Sequence, residues 1–376
     1  MTTRVRSYSK INLGLAIGPV RADGFHGLTT LYQTLDLHDV VTVSARQPGS
    51  GVETRISLTT NHPFVPRDAR NTAWRMVEGC LARLGVAAEV EINIEKRLPV
   101  QGGMGAGSAN AAAALLGLER ELGMALPGLE RLKLAAAIGS DVPLFLLGGA
   151  VLGIARGEQV VPMPDLPKTW CVVAVPQVGV STPAAFKAWD LKQGVGSRQE
   201  GVEDGGGLTS LPQVDKLQEL SLAYSSLSAK TGMSKPGTSG ILRDSSSEKK
   251  RNSLDETQEH ALNDLAENTL LALVRTGIGS DGLSGLHNDF EDVVFPQYPS
   301  LRITKRQLMG SDSDGSGVDR SAIYAALSGS GSALFGLYQS EQDAKAAQQR
   351  VQSSGVQALL TETLPRAEYW ERMFAE

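Results

Sequence analysis

A glycine-rich stretch between a strand-like and a helix-like segment is the strongest sign of chemistry in the sequence. Residues 98–110 read LPVQGGMGAGSAN, in which Gly103, Gly105 and Gly107 precede Ser108. Glycine lets a backbone approach a ligand closely, and the free N–H groups at a helix start attract anions. The spacing predicts a site for a nucleotide polyphosphate, with a merely flexible loop as the alternative. It fits neither Gly-x-x-x-x-Gly-Lys-Ser/Thr, because no lysine follows Gly107, nor Gly-x-Gly-x-x-Gly.

Two charged residues could act on a hydroxyl group at such a site. Asp141 follows a predicted helix and precedes a proline, so it is either a turn residue bonded to nearby backbone or a catalytic carboxylate. Lys10 and Asn12 are two residues apart in an alternating segment, which puts both side chains on one face of a strand. A lysine beside Asp141 would stabilise the carboxylate charge. Together these residues predict phosphoryl transfer to an alcohol, a reaction that depends mainly on positioning and charge.

Two further groups of residues could complete a site of this kind. Phe25 and His26 follow a glycine turn and could stack on a base, with Phe186 as a second ring, although simple packing is the alternative. Residues 328–332 read SGSGS and, taken alone, indicate a tight turn. Paired with the first glycine loop, this second cluster could close over phosphates.

Hydrophobic periodicity predicts a mixed order of strands and helices around these groups. Two strands are expected within residues 4–45, separated by a turn at 21–26. Asn71 or Thr72 can cap the next helix, and Gly139 can end a later one. The other predicted elements are a helix over 71–84, a strand near 90, helices over 110–122 and 129–138, and strands over 149–161, 170–176 and 333–338.

The length and composition indicate two domains with a polar insertion. A chain of 376 residues exceeds the usual size of one hydrophobic core. We predict an N-terminal domain over 1–165 and a C-terminal domain over 166–376. Residues 192–257 are rich in Ser, Gly and charged side chains, so we expect a largely disordered insertion, followed by helical patterns after residue 260. Residues 311–317 predict a shorter polar loop.

Composition argues against several classes of protein. The net charge of -5 disfavours a nucleic-acid partner, and the two cysteines do not suggest a disulfide framework. The first residues lack an apolar signal core, and no apolar run is long enough to span a bilayer. No His-x-x-x-His or Cys/His cluster indicates a zinc site. We therefore expect a cytoplasmic protein without a membrane partner.

Three motifs together resemble those of the GHMP kinases. They are SKINL at 9–13, the loop over 99–109 and the glycine-rich segment over 327–333. The blocks RADGFH at 21–26 and GSDVP at 139–143 are similar to one branch of that family. That branch uses ATP to phosphorylate the 2-hydroxyl of a diphosphocytidyl polyol in the non-mevalonate isoprenoid pathway. The resemblance implies an α+β fold, with an N-terminal domain like ribosomal protein S5 domain 2, a ferredoxin-like C-terminal domain and an active site in the cleft between them.

The resemblance also implies roles for individual residues. Lys10 and Asp141 would be the catalytic pair. Substrate would be held by Asn12, Phe25, His26, Thr182 and Phe186. ATP would be held by Asn71, Lys96, Pro99, Gly103, Gly105, Gly107, Ser108 and Asn110, with Mg²⁺ whose protein ligands the sequence does not identify.

The sequence departs from the family pattern at several positions. Phe25 stands where the family has a tyrosine, which removes a hydroxyl and keeps the ring. Met104 replaces a leucine, and Ala106 and Ala109 replace the commoner glycine and serine. Ala106 adds a side chain near the phosphates, so it is compatible with ATP only if its φ angle is ordinary.

Two other functions fit the same motifs. The chain could be a GHMP kinase for another small alcohol, such as homoserine or mevalonate. It could also be a regulator that binds a nucleotide without turnover and uses the insertion to dock a partner. Lys10 and Asp141 together favour an enzyme that acts on a small molecule, and we expect a monomer or a homodimer.

Overall fold

The structure is a computed structural model that describes residues 2–21, 23–47, 53–100, 102–194, 286–310 and 322–375. These residues form two β-sheets with helices packed against them. Most of the predicted insertion, the helical patterns from residue 260 to 285 and the polar loop over 311–317 lie outside the described residues.

The first sheet is built around one long antiparallel hairpin. Its two strands pair over most of their length, with a β-bulge near Asn12, and this confirms the predicted strand–turn–strand. The strands of this sheet are β1 (Thr3–Val20), β2 (His26–Arg46), β3 (Arg55–Thr60), β4 (Glu89–Glu95), β5 (Ala150–Ile154), β6 (Gln159–Pro162) and β11 (Phe374–Ala375). The sheet order is β11-β1-β2-β4-β3, and β5 pairs with both β2 and β6.

The single strand predicted over residues 149–161 is wrong in one respect. The structure has two antiparallel strands there, β5 and β6, joined by a turn. Among the described residues, the non-glycine residue with a positive φ angle is Ala155 in that turn, at 65°. The turn reads ARGE over residues 155–158 and contains Gly157, a turn signal that the prediction of a single strand did not use.

Helices cover the first sheet and carry the glycine loop. They are α1 (Thr72–Leu84), α2 (Ala106–Leu122), α3 (Gly128–Ile138) and a short 3-10 helix (Pro143–Leu146). As predicted, the side chain of Asn71 caps α1 by accepting from the Ala73 N–H at 2.9 Å. The prediction that α2 starts at Asn110 is wrong, because Gly105, with a φ of 69°, is the N-cap and the alanine-rich helix begins at once.

The second sheet has the strand order of a ferredoxin-like fold. Counted along the chain, its four strands lie in the antiparallel order 4-1-3-2. The strands are β7 (Trp170–Val175), β8 (Tyr324–Leu327), β9 (Leu334–Tyr338) and β10 (Gln357–Glu362). The helices of this half are α4 (Thr182–Lys192), α5 (Glu291–Gln297), α6 (Pro299–Met309) and α7 (Glu341–Ser353).

The two sheets share a buried core, which fixes the cleft between them. Val172 and Ala174 of β7 pack toward the helices, whereas Val173 faces the first sheet. There it joins a cluster that includes Ile11 and Leu13 of β1. Alternate residues of one strand therefore serve two cores, as the period of a β-strand requires.

The end of the chain returns to the first sheet. Helix α8 (Arg366–Glu371) leads into β11, which pairs with β1. Tyr369 is buried and donates a hydrogen bond from its hydroxyl to the Phe145 carbonyl at 2.6 Å. The division of the chain at 165/166 stays a prediction. Within the described residues no helix is long and apolar enough to cross a membrane.

Candidate active site

A cavity of about 580 Å³ opens between the two halves of the molecule. One end carries Lys10, Asn12 and Asp141, and the other end carries aromatic side chains. Strand β1 supplies Lys10 and Asn12, and the turn after α3 supplies Asp141. The remaining walls come from β2, the glycine loop, α4 and the turn between β8 and β9, including Tyr32, Gly103, Gly105, Thr182, Phe186, Gly329 and Ser330.

Lys10 and Asp141 lie together although they are far apart in sequence. The Lys10 Nζ atom is 3.4 Å from Asp141 Oδ2 and donates a hydrogen bond to Asn12 Oδ1 at 2.6 Å. The Lys10 side chain is 3 % exposed, whereas that of Asp141 is 31 % exposed. A buried cation thus lies against a carboxylate that still faces the cavity, which is the arrangement needed to accept or orient a hydroxyl proton.

Tyr32 holds the other oxygen of the same carboxylate. Its hydroxyl donates to Asp141 Oδ1 at 3.0 Å, and its ring lies 5.6 Å from Lys10 Nζ. Burial, reinforced by the charge of Asp141, raises the pKa of Tyr32 well above its usual value of 10.0. Tyr32 therefore stays protonated and remains a hydrogen-bond donor at neutral pH.

A chain of hydrogen bonds fixes Asn12 behind the pair. Its Nδ2 donates to Thr30 Oγ1 at 2.7 Å, and the Thr30 hydroxyl donates to the Gly14 carbonyl at 2.8 Å. The Asn12 side-chain oxygen is left for Lys10. The orientation of the lysine is therefore set by β1 and β2 together.

The first glycine loop lies directly beside Lys10. The Lys10 N–H donates to the Met104 carbonyl at 3.0 Å. A Cβ atom at Gly105 would lie 2.9 Å from Phe145 Cζ and 3.1 Å from Lys10 Cγ, so only glycine fits there. No side chain caps α2 at Gly105, which leaves the N–H groups of its first turn without a side-chain partner.

The first glycine loop contacts the second glycine cluster, as the sequence predicted. Ser328 donates from its hydroxyl to the Gly103 carbonyl at 3.0 Å, and the Ala333 N–H donates to the Gly102 carbonyl at 3.2 Å. Thr182 and Ser330 share a hydrogen bond of 2.7 Å between their hydroxyls, which ties α4 to the second cluster. A rim of backbone amides and hydroxyls therefore runs along this side of the cavity.

Ala106 has a φ angle that is compatible with ATP binding at the glycine loop. It is the first residue of α2 and does not have a positive φ angle. Met104 is buried and fills the position under the loop. The departures from the family pattern at these positions are therefore compatible with the backbone of the loop.

The aromatic end of the cavity brings His26 and Phe186 together. Their rings are stacked with centroids 4.9 Å apart and an interplanar angle of 5°. Phe290 contacts the edge of Phe186 at 5.0 Å. Phe25 is 55 % exposed, and the guanidinium of Arg156 lies 5.1 Å from its ring centroid.

Several residues predicted to hold ATP have their polar atoms engaged by the protein. Lys96 forms a buried ion pair with Asp39, whose Oδ1 also accepts from the N–H groups of Arg97 and Leu98 at 2.8 Å. In the orientation that satisfies its neighbours, the Asn110 amide donates to Ser7 Oγ at 2.7 Å and Asp39 Oδ2 at 3.1 Å.

Asn71 is engaged in the same way, and part of the loop lies away from the cavity. Its amide donates to the Pro66 carbonyl at 2.7 Å while its oxygen caps α1. Gly103 and Gly105 line the cavity, whereas Pro99, Gly107 and Ser108 do not. The Gly107 carbonyl accepts from the Thr72 hydroxyl at 2.6 Å. The roles of these residues toward ATP stay predictions.

Tyr32, Arg156 and Asp190 line the cavity but were not among the sequence-based candidates. Tyr32 pairs directly with Asn12 across the predicted hairpin, so a register for that hairpin would have pointed to it. Asp190 lies four residues after Phe186 on one helix face, which is a visible spacing. Arg156 lies in the turn between β5 and β6, which the prediction of a single strand did not include.

Two family models match the chain. The model described as the GHMP kinases N terminal domain matches residues 71–149, and the model described as GHMP kinases C terminal matches residues 265–357.

Curated relatives extend this similarity along the chain. A protein of Solibacter usitatus is 32 % identical over 340 residues, covering 90 % of this chain and 82 % of the relative. One of Moorella thermoacetica is 28 % identical over 95 % of this chain and 98 % of the relative. One of Nocardioides sp. is 41 % identical, but over 50 % of this chain and 62 % of the relative. All three carry the name 4-diphosphocytidyl-2-C-methyl-D-erythritol kinase.

Solved structures share the fold. A crystal structure of 4-(cytidine 5'-diphospho)-2C-methyl-D-erythritol kinase matches with a TM-score of 0.59 at 23 % identity, covering 96 % of this chain and 99 % of that one. A homoserine kinase from Cytophaga hutchinsonii also matches with a TM-score of 0.59, at 17 % identity over 97 % of this chain and 95 % of that one. These similarities confirm the expected two-part α+β fold of GHMP kinases.

Proposed function

The chain belongs to the family of 4-diphosphocytidyl-2-C-methyl-D-erythritol kinases, which are GHMP kinases, and we propose that it phosphorylates the compound for which that family is named. ATP would donate the phosphoryl group, and the 2-hydroxyl of 4-diphosphocytidyl-2-C-methyl-D-erythritol would accept it in the non-mevalonate isoprenoid pathway. The observation that carries this proposal is the contact between Lys10 and Asp141 beside the glycine loop.

The proposed reaction is a direct transfer. The oxygen of the 2-hydroxyl forms a bond to the γ-phosphorus of ATP, and the bond to the bridging oxygen breaks, leaving ADP. The proton of the hydroxyl passes to the carboxylate of Asp141, which Tyr32 and Lys10 hold on both oxygens. Lys10 also supplies positive charge close to the transferred group, where it stabilises the transition state.

The phosphates of ATP would lie along the glycine loop. Gly103 and Gly105 line the cavity, and the first turn of α2 offers N–H groups with no side-chain cap. Backbone N–H groups at a helix start bind anions well. The Ser328–Gly103 hydrogen bond supports closure of the second cluster over the same phosphates.

Mg²⁺ fits this site as a partner of ATP. The described residues contain no group of three or more His, Cys, Asp or Glu side chains that could hold a metal ion. Mg²⁺ usually keeps several waters and takes further oxygens from the phosphates of its nucleotide, so it does not require such a group. We propose that Mg²⁺ binds with ATP, where it would neutralise phosphate charge.

The aromatic end of the cavity would hold the cytidine. Phe25, His26 and Phe186 offer ring faces, and stacking tolerates a flat base. Thr182, whose hydroxyl contacts that of Ser330 in the second glycine cluster, would face the linking phosphates of such a substrate. Phe25 retains the ring of the family's tyrosine but offers no hydroxyl.

A panel of acceptors tests the proposed function. We expect the purified full chain to release ADP from ATP with 4-diphosphocytidyl-2-C-methyl-D-erythritol, and much less with 2-C-methyl-D-erythritol 4-phosphate, homoserine or mevalonate. Lys10→Ala should lower the rate about 100-fold, because it removes charge from the transition state. Preference for homoserine or mevalonate would assign another GHMP kinase activity. ATP binding without ADP release with any acceptor would indicate a regulator.

A further inference from the structure

The segment just before α5 holds the second glycine cluster from behind. Asn288 is 1 % exposed, and its Nδ2 atom donates to the carbonyls of Leu327 and Gly329, both at 2.8 Å. The Asn288 amide therefore directs both of its hydrogens at the turn between β8 and β9. Gly329 has a φ of 58°, so these hydrogen bonds fix a backbone that lies in the left-handed region.

The same segment is also joined to β1. The Leu15 N–H donates to the His287 carbonyl, and the Asp289 N–H donates to the Leu15 carbonyl, each at 2.9 Å. The main chain on both sides of Asn288 is therefore attached to the strand that carries Lys10, while its side chain is attached to the second glycine cluster. Asn288 thus links the two.

Glu291 supports the same turn. Its Oε1 atom accepts from the Leu327 N–H at 2.8 Å, and its Oε2 atom accepts from Lys305 Nζ on α6 at 2.6 Å. The Glu291 side chain is buried. Hydrogen bonds of both Asn288 and Glu291 therefore reach Leu327, the last residue of β8, where the second glycine cluster begins.

The second glycine cluster passes directly beside Lys10. A Cβ atom at Gly329 would lie 3.6 Å from Asn12 Oδ1 and 3.7 Å from Lys10 Nζ. In the proposed reaction Lys10 acts on the transferred phosphoryl group. The backbone at Gly329 would therefore meet the terminal phosphate of ATP rather than the inner ones.

We propose that Asn288 is a positioning residue that fixes the second glycine cluster at the distance from Lys10 that the terminal phosphate of ATP requires. Asn288 does not line the cavity, so it acts through the backbone of Leu327 and Gly329. This inference rests on the proposed function, and it assigns a role to a side chain outside the cavity wall.

Asn288→Asp separates this role from a purely local one. The Asn288 Oδ1 atom accepts from the Phe290 N–H at 3.1 Å, and a carboxylate retains that bond. A carboxylate cannot donate, so both contacts with the second glycine cluster become repulsive.

The affinity for nucleotides measures the consequence without an acceptor. With Mg²⁺ present, we expect the affinity of Asn288→Asp for AMP-PNP, an ATP analogue with an imido bridge before the terminal phosphate, to fall about tenfold by calorimetry, because buried acceptors lose their donors. The affinity for ADP, which lacks the terminal phosphate, should stay close to that of the wild type. Asn288→Ala, which also removes both donors, should show the same pattern.

Gln33 provides a matched control for the loss of buried hydrogen bonds. Its Nε2 atom donates to the carbonyls of Thr34 and Leu364, each at 3.1 Å, and the side chain is buried and does not line the cavity. Gln33→Glu makes the same chemical change away from the second glycine cluster. It should lower the melting temperature and leave the affinity for AMP-PNP unchanged.

Three results would overturn the inference. They are an equal loss of AMP-PNP affinity in Gln33→Glu, equal losses of AMP-PNP and ADP affinity in Asn288→Asp, and full AMP-PNP affinity in Asn288→Asp. Each would reduce Asn288 to a structural role.

The wild-type protein gives a second test that needs no variant. The NMR signals of the Asn288 side-chain amide in the full chain should move when AMP-PNP binds and move much less when ADP binds. Signals that respond equally to both nucleotides, or to neither, would overturn the inference even if no variant folds. Failure of the wild type to phosphorylate the cytidylated acceptor would instead contradict the proposed function alone.

Discussion

The Tyr32 hydroxyl donates a hydrogen bond to Asp141 Oδ1 at 3.0 Å, while Lys10 Nζ lies 3.4 Å from Oδ2 of the same carboxylate. Each oxygen of Asp141 therefore has its own partner, one neutral and one charged. The carboxylate cannot rotate without breaking a contact, so its direction toward the cavity is fixed before any ligand arrives. Such preorganisation is what phosphoryl transfer requires of a protein.

Tyr32→Phe should lower kcat about tenfold, because a hydrogen bond to a charged group contributes roughly 1.5–3 kcal/mol. The ring remains, so the KM for both substrates and the melting temperature should change little. Because the pKa of Tyr32 is well above 10.0, deprotonation of this group should cause no loss of rate between pH 7 and pH 10. Steady-state ADP release across that range provides the measurement. An unchanged kcat would show that Tyr32 does not position Asp141.

Asp141→Asn should lower kcat by about 100-fold or more, in the range expected for loss of a general base. The amide keeps the size of the carboxylate, so the variant should bind ATP normally by calorimetry and melt near the wild-type temperature. Ordinary turnover in this variant would remove Asp141 from the proposed mechanism.

Gly103→Ala should weaken ATP binding and lower stability together. Gly103 has a φ of 73°, and a Cβ atom there would collide with the Ser328 carbonyl of the second glycine cluster. Gly85→Ala is the matched control, because Gly85 has a φ of 67° but no atom within 4 Å of an added Cβ. The control should cost about 1–2 kcal/mol of unfolding free energy from backbone strain alone and leave the KM for ATP unchanged.

The contact between the glycine clusters decides the outcome of that comparison. Chemical denaturation and the KM for ATP should be measured for both variants. Equal effects of Gly103→Ala and Gly85→Ala on the KM for ATP would mean that the meeting of the two loops is irrelevant to the nucleotide.

Phe186→Ala should raise the KM for the cytidylated acceptor by about tenfold, since an aromatic contact is worth roughly 1–3 kcal/mol when a ring stacks on a base. Phe186 also supports His26, with ring centroids 4.9 Å apart. The KM for ATP should not change, because Phe186 is at the other end of the cavity from the glycine loop. A selective rise in the KM for ATP would reverse the proposed placement of the two substrates.

Removal of divalent cations should abolish turnover without unfolding the protein. The proposed metal arrives with ATP, so EDTA should leave the melting temperature unchanged when ATP is absent. Restoring Mg²⁺ should restore ADP release in proportion to the concentration of Mg²⁺–ATP. Full activity in EDTA would contradict the proposed role of the metal.

Local features of the fold could be predicted because their causes are local. The structure confirms the strand that the alternation of Ile11, Leu13 and their neighbours predicts. It also confirms Asn71 as the cap of α1. The predicted start of α2 is wrong because Ser108 and Asn110 are typical of a helix start, whereas left-handed Gly105, five residues before Asn110, is the actual N-cap. Competing local signals of similar strength cannot be ranked without the packing around them.

Partners across long sequence distances could not be predicted from the pattern. The ion pair of Lys96 with Asp39 links the residue that follows β4 to β2 and buries both side chains. Nothing near Lys96 in the sequence indicates that partner, so the sequence analysis places Lys96 among the residues that would hold ATP. The contact of Asp190 with His26 is of the same kind, because it joins α4 of the second half to β2 of the first.

The sequence by itself determined which stretches of backbone are glycine-rich and open to a ligand, and which side chains can carry charge. Glycine spacing, helix caps and strand alternation depend only on neighbouring residues. It also determined the family, through motifs that remain recognisable as short blocks. The tertiary structure decided which of these groups meet: Tyr32 with Asp141, one glycine cluster with the other, and His26 with Asp190. Those encounters depend on strand register and on how two sheets share one core, and both are fixed only when the whole chain is packed.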